Sequence, residues 1–283
     1  MIKADLHVHT DISDSSYNID EVLKLAKERG LTHIAITNHD TTRGLEEAIK
    51  KGKEYGIVVI PGVEISAYDY KRNRKVHVIG LNVDISNNNI DRLCFDLLKN
   101  RDENTKKQIE IIKSMGYDIT EEEVKKYAKN SKVFYKQHIM KVLMDKGYTE
   151  SIYSDFYTKL FNKNSPCNLN IKYIDVYDAL DVLNKNGAIS IIAHPGQFNS
   201  YDLVEELVEY GLCGIEKYHP SHSIEDEEKV EEMSKKYNLI KSGGSDFHGD
   251  YAKKNCMGKF IAPKEDIYKI LNNWYISRKI HKL

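Results

Sequence analysis

The chain has 283 residues, 41% hydrophobic and 30% charged, enough to bury a sizeable core as one α/β domain or as a domain carrying an insertion. A formal net charge of -1 excludes a global basic field for bulk nucleic-acid binding, and no apolar run approaches the ~18 residues of a membrane span. Four scattered cysteines (Cys94, Cys167, Cys213, Cys256) without CxxC spacing, and no apolar signal-peptide core at the start, lead us to expect a soluble cytoplasmic protein with reduced thiols.

The first ninety residues alternate strand and helix. ADLHV reads as a strand, Asn18 with Glu21 as a capping box ahead of EVLKLAKER, and Gly30 as that helix's stop. THIAIT is a short apolar strand, GLEEAIKKGKEYG a helix ending at glycine, and IVVIPG and VHVIGL give two more strands. From about Asp91 to Lys172 only helical periodicity is visible, in IDRLCFDLLKN, KKQIEIIKSMG, EEEVKKYAK and HIMKVLMDKG. Alternation then resumes through AISIIAHPG, CGIEKY and LIKSGG, with helices between them and one near EDIYKILNNWY. The expected strands are Ala4–Leu6, His33–Thr37, Ile57–Ile60, Val76–Leu81, Ile189–Ala193, Gly214–Lys217 and Leu239–Ser242. Seven strands in this order suggest an α/β barrel of the (β/α)7 TIM-like kind with a mostly helical insertion after the fourth strand. The divisions are a barrel from 1–92 and 173–283 and a cap from 93–172. A doubly wound open sheet is the alternative, since order along the chain does not fix order in the sheet.

Polar residues track the strand ends. His7 and His9 close the first strand, His39 and Asp40 follow the second, Glu64 follows the third and His77 lies in the fourth. His194 ends the fifth, Glu216 and His219 close the sixth, and Asp246 and His248 follow the seventh. In a parallel barrel the C-terminal strand ends share the face that carries active sites. Histidines with carboxylates and no cysteine favour Zn2+, Mn2+ or Fe2+ over Ca2+ or Mg2+. There are more candidate ligands than one ion uses, so two or three divalent metal ions are expected. His7 and His9, two apart on a strand, point to one side and can clamp one ion, with Asp14 in the next loop within reach of a neighbour.

The segments DLHVHTDISD, TNHDT, GVEIS, VHVIGL, AHPG, GIEKYHPSHS and GGSDFHG run in order from residue 5 to 249 and together resemble the PHP (polymerase and histidinol phosphatase) superfamily. Within it the chain is similar to the nucleotide phosphoesterase branch, whose barrel is interrupted by a small helical domain. The resemblance implies a distorted seven-stranded barrel with a trinuclear centre. His7, His9, Glu64 and Asp246 would hold one ion; Glu64, His77 and His194 a second; Asp14, His39 and His248 a third. Two departures stand out: Asn38 in TNHD, and YKQH (135–138) in place of an arginine-containing RPH. In the second, Lys136 would meet phosphate as a point charge rather than a bidentate fork.

The implied activity is hydrolysis of a phosphate monoester on a small nucleotide, a nucleoside 3',5'-bisphosphate or AMP, or trimming of short RNA from its 5' end. A bridging hydroxide near Glu64 would attack phosphorus, Asp246 would orient or deprotonate it, and His222 or metal-bound water would protonate the leaving group. Lys136, His138, His219 and His222 are the expected substrate contacts. Asp40 is expected to orient a ligand imidazole and Glu216 to hold a loop, with His33 structural and His281 at the surface. Gly243 and Gly244 are expected to let backbone approach the site closely. The alternatives are a histidinol phosphate phosphatase and a non-catalytic, metal-stabilised accessory module. Neither a membrane nor long duplex nucleic acid is an expected partner.

Overall fold

The computed structural model describes residues 2–252 and 256–280; His281 lies outside them. The first strand, β1 (Ala4–Val8), is buried along its whole length. Helix α1 (Ile19–Glu28) starts at the Asn18 capping box, in which Glu21 N donates to Asn18 Oδ1 at 3.0 Å and Asn18 N to Glu21 Oε2 at 2.8 Å. After it come β2 (His33–Ile36), α2 (Leu45–Tyr55), β3 (Val58–Asp69) and β4 (Arg74–Leu81). Four helices fill the next stretch: α3 (Asn89–Ser114), α4 (Glu121–Lys125), α5 (Lys136–Asp145) and α6 (Asp155–Phe161). The chain continues through β5 (Ile174–Asp175), α7 (Val176–Asn186), β6 (Ile189–Ala193), α8 (Pro195–Phe198) and α9 (Val204–Glu209). It ends with β7 (Gly214–Tyr218), α10 (Ile224–Tyr237), β8 (Ile240–Gly243) and α11 (Lys264–Ile280).

The strands pair in the order β1-β2-β3-β4-β6-β7-β8, with β5 on the outer end of β3. A bridge between Val8 and Phe247, with His9 N donating to Phe247 O at 2.9 Å, brings the segment after β8 back against β1. The sheet therefore curls into a nearly closed seven-stranded barrel, and the open-sheet alternative falls. Two features depart from the expected pattern. The third strand runs on to Asp69, far beyond Ile60, so Glu64 lies inside it rather than after it. It turns directly into β4, which is antiparallel to both β3 and β6. A hairpin reverses the chain, so the N-terminal half of β4, with His77, lies on the face where its parallel neighbours end.

Pairing across β1 and β2 slips between Asp5 and Val8. Leu6 belongs to the inner cluster with Ala35, Ile60, Ile79 and Ile191, whereas Val8 belongs to the outer one with Ile34 and Ile36. The irregularity re-aims the strand end and turns His7 and His9 inward. At Gly244 an added Cβ would sit 2.2 Å from His7 Cβ, so only glycine lets the β8 loop cross this close to β1. Gly244 thus makes its close approach to β1 at His7, whereas Gly243 faces Tyr218 and Ile261.

Ile267 and Ile270 of α11 join the inner cluster, while α1, α2, α7 and α10 contribute to the outer one. The helices between β4 and β5 have their own apolar cluster, including Ile109, Ile112, Val124, Ile139 and Leu143. Helix α3 belongs to both, with Ile90, Cys94 and Leu97 on the barrel and Ile109 and Ile112 in the second cluster.

Candidate metal centre

The strand ends bring nearly every singled-out residue to one buried cluster centred on Glu64. Its Oε2 lies 3.2 Å from His7 Nε2, His9 Nε2 and His39 Nδ1, and its Oε1 2.9 Å from His77 Nδ1 and His194 Nε2. Asp246 Oδ1 is 3.3 Å from both His7 Nε2 and His9 Nε2 and 3.4 Å from His248 Nδ1, and its Oδ2 is 3.4 Å from His219 Nε2. Asp14 Oδ1 sits 3.2 Å from His248 Nε2 and 3.8 Å from His9 Nδ1. Asp40, His194 and Asp246 carry φ of 60°, 27° and 48°, a region that costs an L residue ~1–3 kcal/mol and that gathers at functional sites.

The donors fit divalent ions. Ligand atoms of His7, His9, Glu64 and Asp246 all lie within 4.8 Å of one another, and the same holds for His9, Asp14, His39 and His248, and for His39, Glu64 and His77. Five ring nitrogens crowd one carboxylate, yet His7 Nε2, His9 Nε2, His194 Nδ1, His219 Nε2, Asp14 Oδ1 and Asp246 Oδ1 are buried without a hydrogen-bond partner. Glu216, itself buried, accepts from His7 Nδ1 at 3.1 Å and from His194 N at 2.8 Å. A carboxylate accepts only, so His7 Nδ1 carries a proton and Nε2 is the nitrogen left facing the cluster.

The electrostatics draw positive charge inward. Burial disfavours charge on His7, but Glu64, Glu216 and Asp246 outweigh it and push His7 well above its usual value. Burial would raise Glu64 and Asp246, yet the surrounding imidazoles hold both well below the carboxylate range. His39 is lowered to about 4 by burial, whereas Asp14 and Asp246 overcome burial at His248 and raise it to about 10.

Four expected roles meet a different geometry. His222 Nδ1 donates to Lys217 O at 2.8 Å and its Nε2 accepts from Gly196 N at 3.2 Å, so the ring is committed to backbone and Nε2 has no proton for a leaving group. His138 is fully buried; its Nδ1 accepts from Tyr135 N, and its ring packs edge-on to Tyr135 and Tyr251, inside the helical cluster rather than on the cleft. Among the described residues Asp40 pairs with no imidazole: Oδ1 accepts from Ser66 N at 2.7 Å and Oδ2 from Arg101 Nη2 at 2.9 Å. Glu216 holds His7 rather than a loop. His219 is buried beside Asp246, with Nδ1 near Ser221 Oγ at 2.7 Å.

A cavity of about 150 Å3 leads from Asp14, His39 and His77 toward the inserted helices. Lys136 lines it, and so do three residues that the sequence did not single out: Lys75, Arg101 and Gln137. Gln137 Nε2 donates to Asp14 Oδ2 at 2.9 Å. Arg101 sits mid-helix among charged neighbours, a pattern that reads as a solvated face. Lys75, two residues before His77 in β4, shares its alternation face, and that spacing was the available signal.

The PHP domain family model matches residues 5–210. A phosphoribosyl 1,2-cyclic phosphate 1,2-diphosphodiesterase from Eggerthella lenta is 40% identical over 90% of this chain and 97% of that protein. A 3',5'-nucleoside bisphosphate phosphatase from Chromobacterium violaceum is 28% identical, covering 88% of each. A solved chain from Bifidobacterium adolescentis, assigned as a metal-dependent phosphoesterase, superposes with a TM-score of 0.88 at 25% identity, covering 96% of each. With a cation-seeking cluster at the shared strand ends, these matches make the chain a member of the PHP domain family, a metal-dependent phosphoesterase.

Proposed function

We propose that the chain removes phosphate from a small phosphorylated ribose compound, a nucleotide in the first instance, using two or three divalent ions (Mn2+, Fe2+ or Zn2+). The observation that carries this reading is Glu64, whose carboxylate has five imidazole nitrogens within 3.2 Å. His7, His9, Glu64 and Asp246 would hold one ion, Glu64, His77 and His194 a second, and Asp14, His39 and His248 a third. Bound there, such ions supply an activated water and neutralise charge on phosphoryl oxygens. Glu64 and Asp246 are the catalytic carboxylates of this reading. Glu216 keeps His7 Nε2 aimed at the cluster, and Lys136 offers a cation to the phosphoryl group entering along the cavity.

The 40% identical relative, named for a phosphoribosyl cyclic phosphate, supports a cyclic phosphodiester of ribose as a second substrate form. Separate apolar clusters support a barrel (1–92 and 173–283) capped by 93–172, with α3 joining the two. The free thiols of Cys94, Cys167 and Cys213 support a cytoplasmic setting. No helix is long and apolar enough to cross a membrane among the described residues.

The test is hydrolysis with added Mn2+, read by phosphorus NMR so that ring opening is seen as well as phosphate release, of AMP, a nucleoside 3',5'-bisphosphate, 5-phosphoribosyl 1,2-cyclic phosphate and histidinol phosphate. Hydrolysis of one of the first three is expected. Hydrolysis of histidinol phosphate alone would replace the substrate, and none at all would leave a metal-stabilised accessory module.

A further inference from the structure

Resting on the metal-centre reading above, we propose that Gln137, in the first turn of α5, is a positioning residue for Asp14 and makes the inserted helices part of one ion's site. The ion assigned to Asp14, His39 and His248 is then held more tightly when the insertion is seated on the barrel. By linkage, binding that ion also seats the insertion.

Asp14 is placed unlike most of the candidate ligands. His7, Glu64 and His77 lie within strands, whereas Asp14 sits in the turn after β1 with no sheet ladder to fix it. Its two oxygens have separate surroundings. Oδ1 is buried without a hydrogen-bond partner, 3.2 Å from His248 Nε2 and 3.8 Å from His9 Nδ1. Oδ2 accepts from Gln137 Nε2 at 2.9 Å and stands 3.9 Å from His39 Nε2. A carboxylate accepts only, so the amide nitrogen must face it, and the other N–H of Gln137 goes to Tyr153 Oη at 3.2 Å. With Oδ2 engaged from the insertion, Oδ1 is left toward the imidazoles, as Glu216 leaves His7 Nε2 toward them from the barrel.

The turn that carries Asp14 is tied to the insertion a second time. Asn130 Nδ2 donates to Asp11 Oδ2 at 2.6 Å. Arg43, from the loop after β2, donates through Nη1 to Asn130 O at 3.3 Å and through Nη2 to Ser131 O and, at 3.4 Å, to Ile12 O. Farther along the same segment, Phe134 N donates to Asp102 Oδ1 at 3.0 Å and Phe134 O accepts from Thr105 Oγ1 at 2.9 Å, which fixes it to α3. Helix α5 then packs Ile139 and Leu143 into the insertion's own core. A shift of the insertion away from the barrel would break these ties together and free Asp14 to turn. Proline in the RPH pattern has no side-chain donor at this position, so the Gln137 bond belongs to the YKQH sequence of this chain.

The experiment is a Mn2+ titration of the metal-stripped protein without substrate, read by chelator competition, on the wild type and Gln137→Met. Methionine keeps the length and helix propensity of glutamine and removes both donors; cooperative unfolding by denaturant checks the fold. One equivalent should bind about ten- to hundredfold more weakly in Gln137→Met, the range for loss of such a partner, while the others are unchanged. Phosphate release should fall with it at limiting Mn2+ and return toward the wild-type level at saturating Mn2+. In the wild type, amide hydrogen exchange across 129–138 should slow as the weakest equivalent binds, a readout that needs no variant. Equal affinities in the two proteins, the same weakening of every equivalent, or exchange that this equivalent leaves unchanged would overturn the positioning role. A wild type that binds no Mn2+ would instead overturn the metal centre on which the role rests.

Discussion

The two ends of the substrate cavity are built on opposite plans. At the barrel mouth, Asp14, Glu64, Glu216 and Asp246 are ringed by imidazoles on strands whose backbones are fixed by the sheet. At the inserted helices, cations gather beside Asp40 alone and rest on aromatic rings. One end attracts positive charge and the other attracts negative charge. Chemistry at the mouth and recognition at the helices is the division this asymmetry supports, and substitutions at the two ends should fail in different ways.

The largest effect is expected at the mouth. Glu64→Gln removes the negative charge that five imidazoles surround, and phosphate release should fall to the buffer level while unfolding by denaturant stays cooperative. Retained activity would move the chemistry elsewhere. The next effect separates the cap's core from its cleft. Burial lowers His138 to about 4 from an ordinary 6.5. The unfolded chain therefore holds the extra proton between those values: His138's contribution is complete above about pH 6.5 and is lost as pH falls toward 4. The loss is about 3 kcal/mol. Urea midpoints at pH 7 and pH 4.5 should show it, and His138→Leu should flatten that part of the slope. An unchanged slope would place the ring outside the packed cluster.

Smaller effects refine the division. Glu216→Gln weakens the hold on His7 Nδ1 and should cost about ten- to hundredfold in metal affinity, read by competition with a chelating dye. At the other end, Lys136 near 8 loses its proton just above neutrality, so KM for a phosphorylated substrate should rise severalfold between pH 8 and 9. Lys136→Arg keeps its charge and should hold KM level there. An identical rise in both proteins would put the titrating group elsewhere.

The mouth was the more legible half. Polar residues at the ends of short apolar strands break the pattern around them, and a closed barrel leaves those ends nowhere to go but one face. Strand direction was less legible, because VHVIGL reads alike in either sense; only the hairpin pairing Ser66 with His77 shows how β4 reaches the site. Arg101 was hidden because a 26-residue helix with charges on most turns looks solvated until a sheet residue such as Asp40 is seen to pair with it. His222 misled for the opposite reason: its place near His219 suggested chemistry, while Lys217 O and Gly196 N had already claimed both ring nitrogens.

Metal content decides the account most directly. Protein purified without chelator and desalted should carry two to three equivalents of Mn, Fe or Zn per chain by mass spectrometry, and His9→Ala should carry fewer. At most one tightly bound ion in the wild type would contradict the cluster as a multinuclear centre.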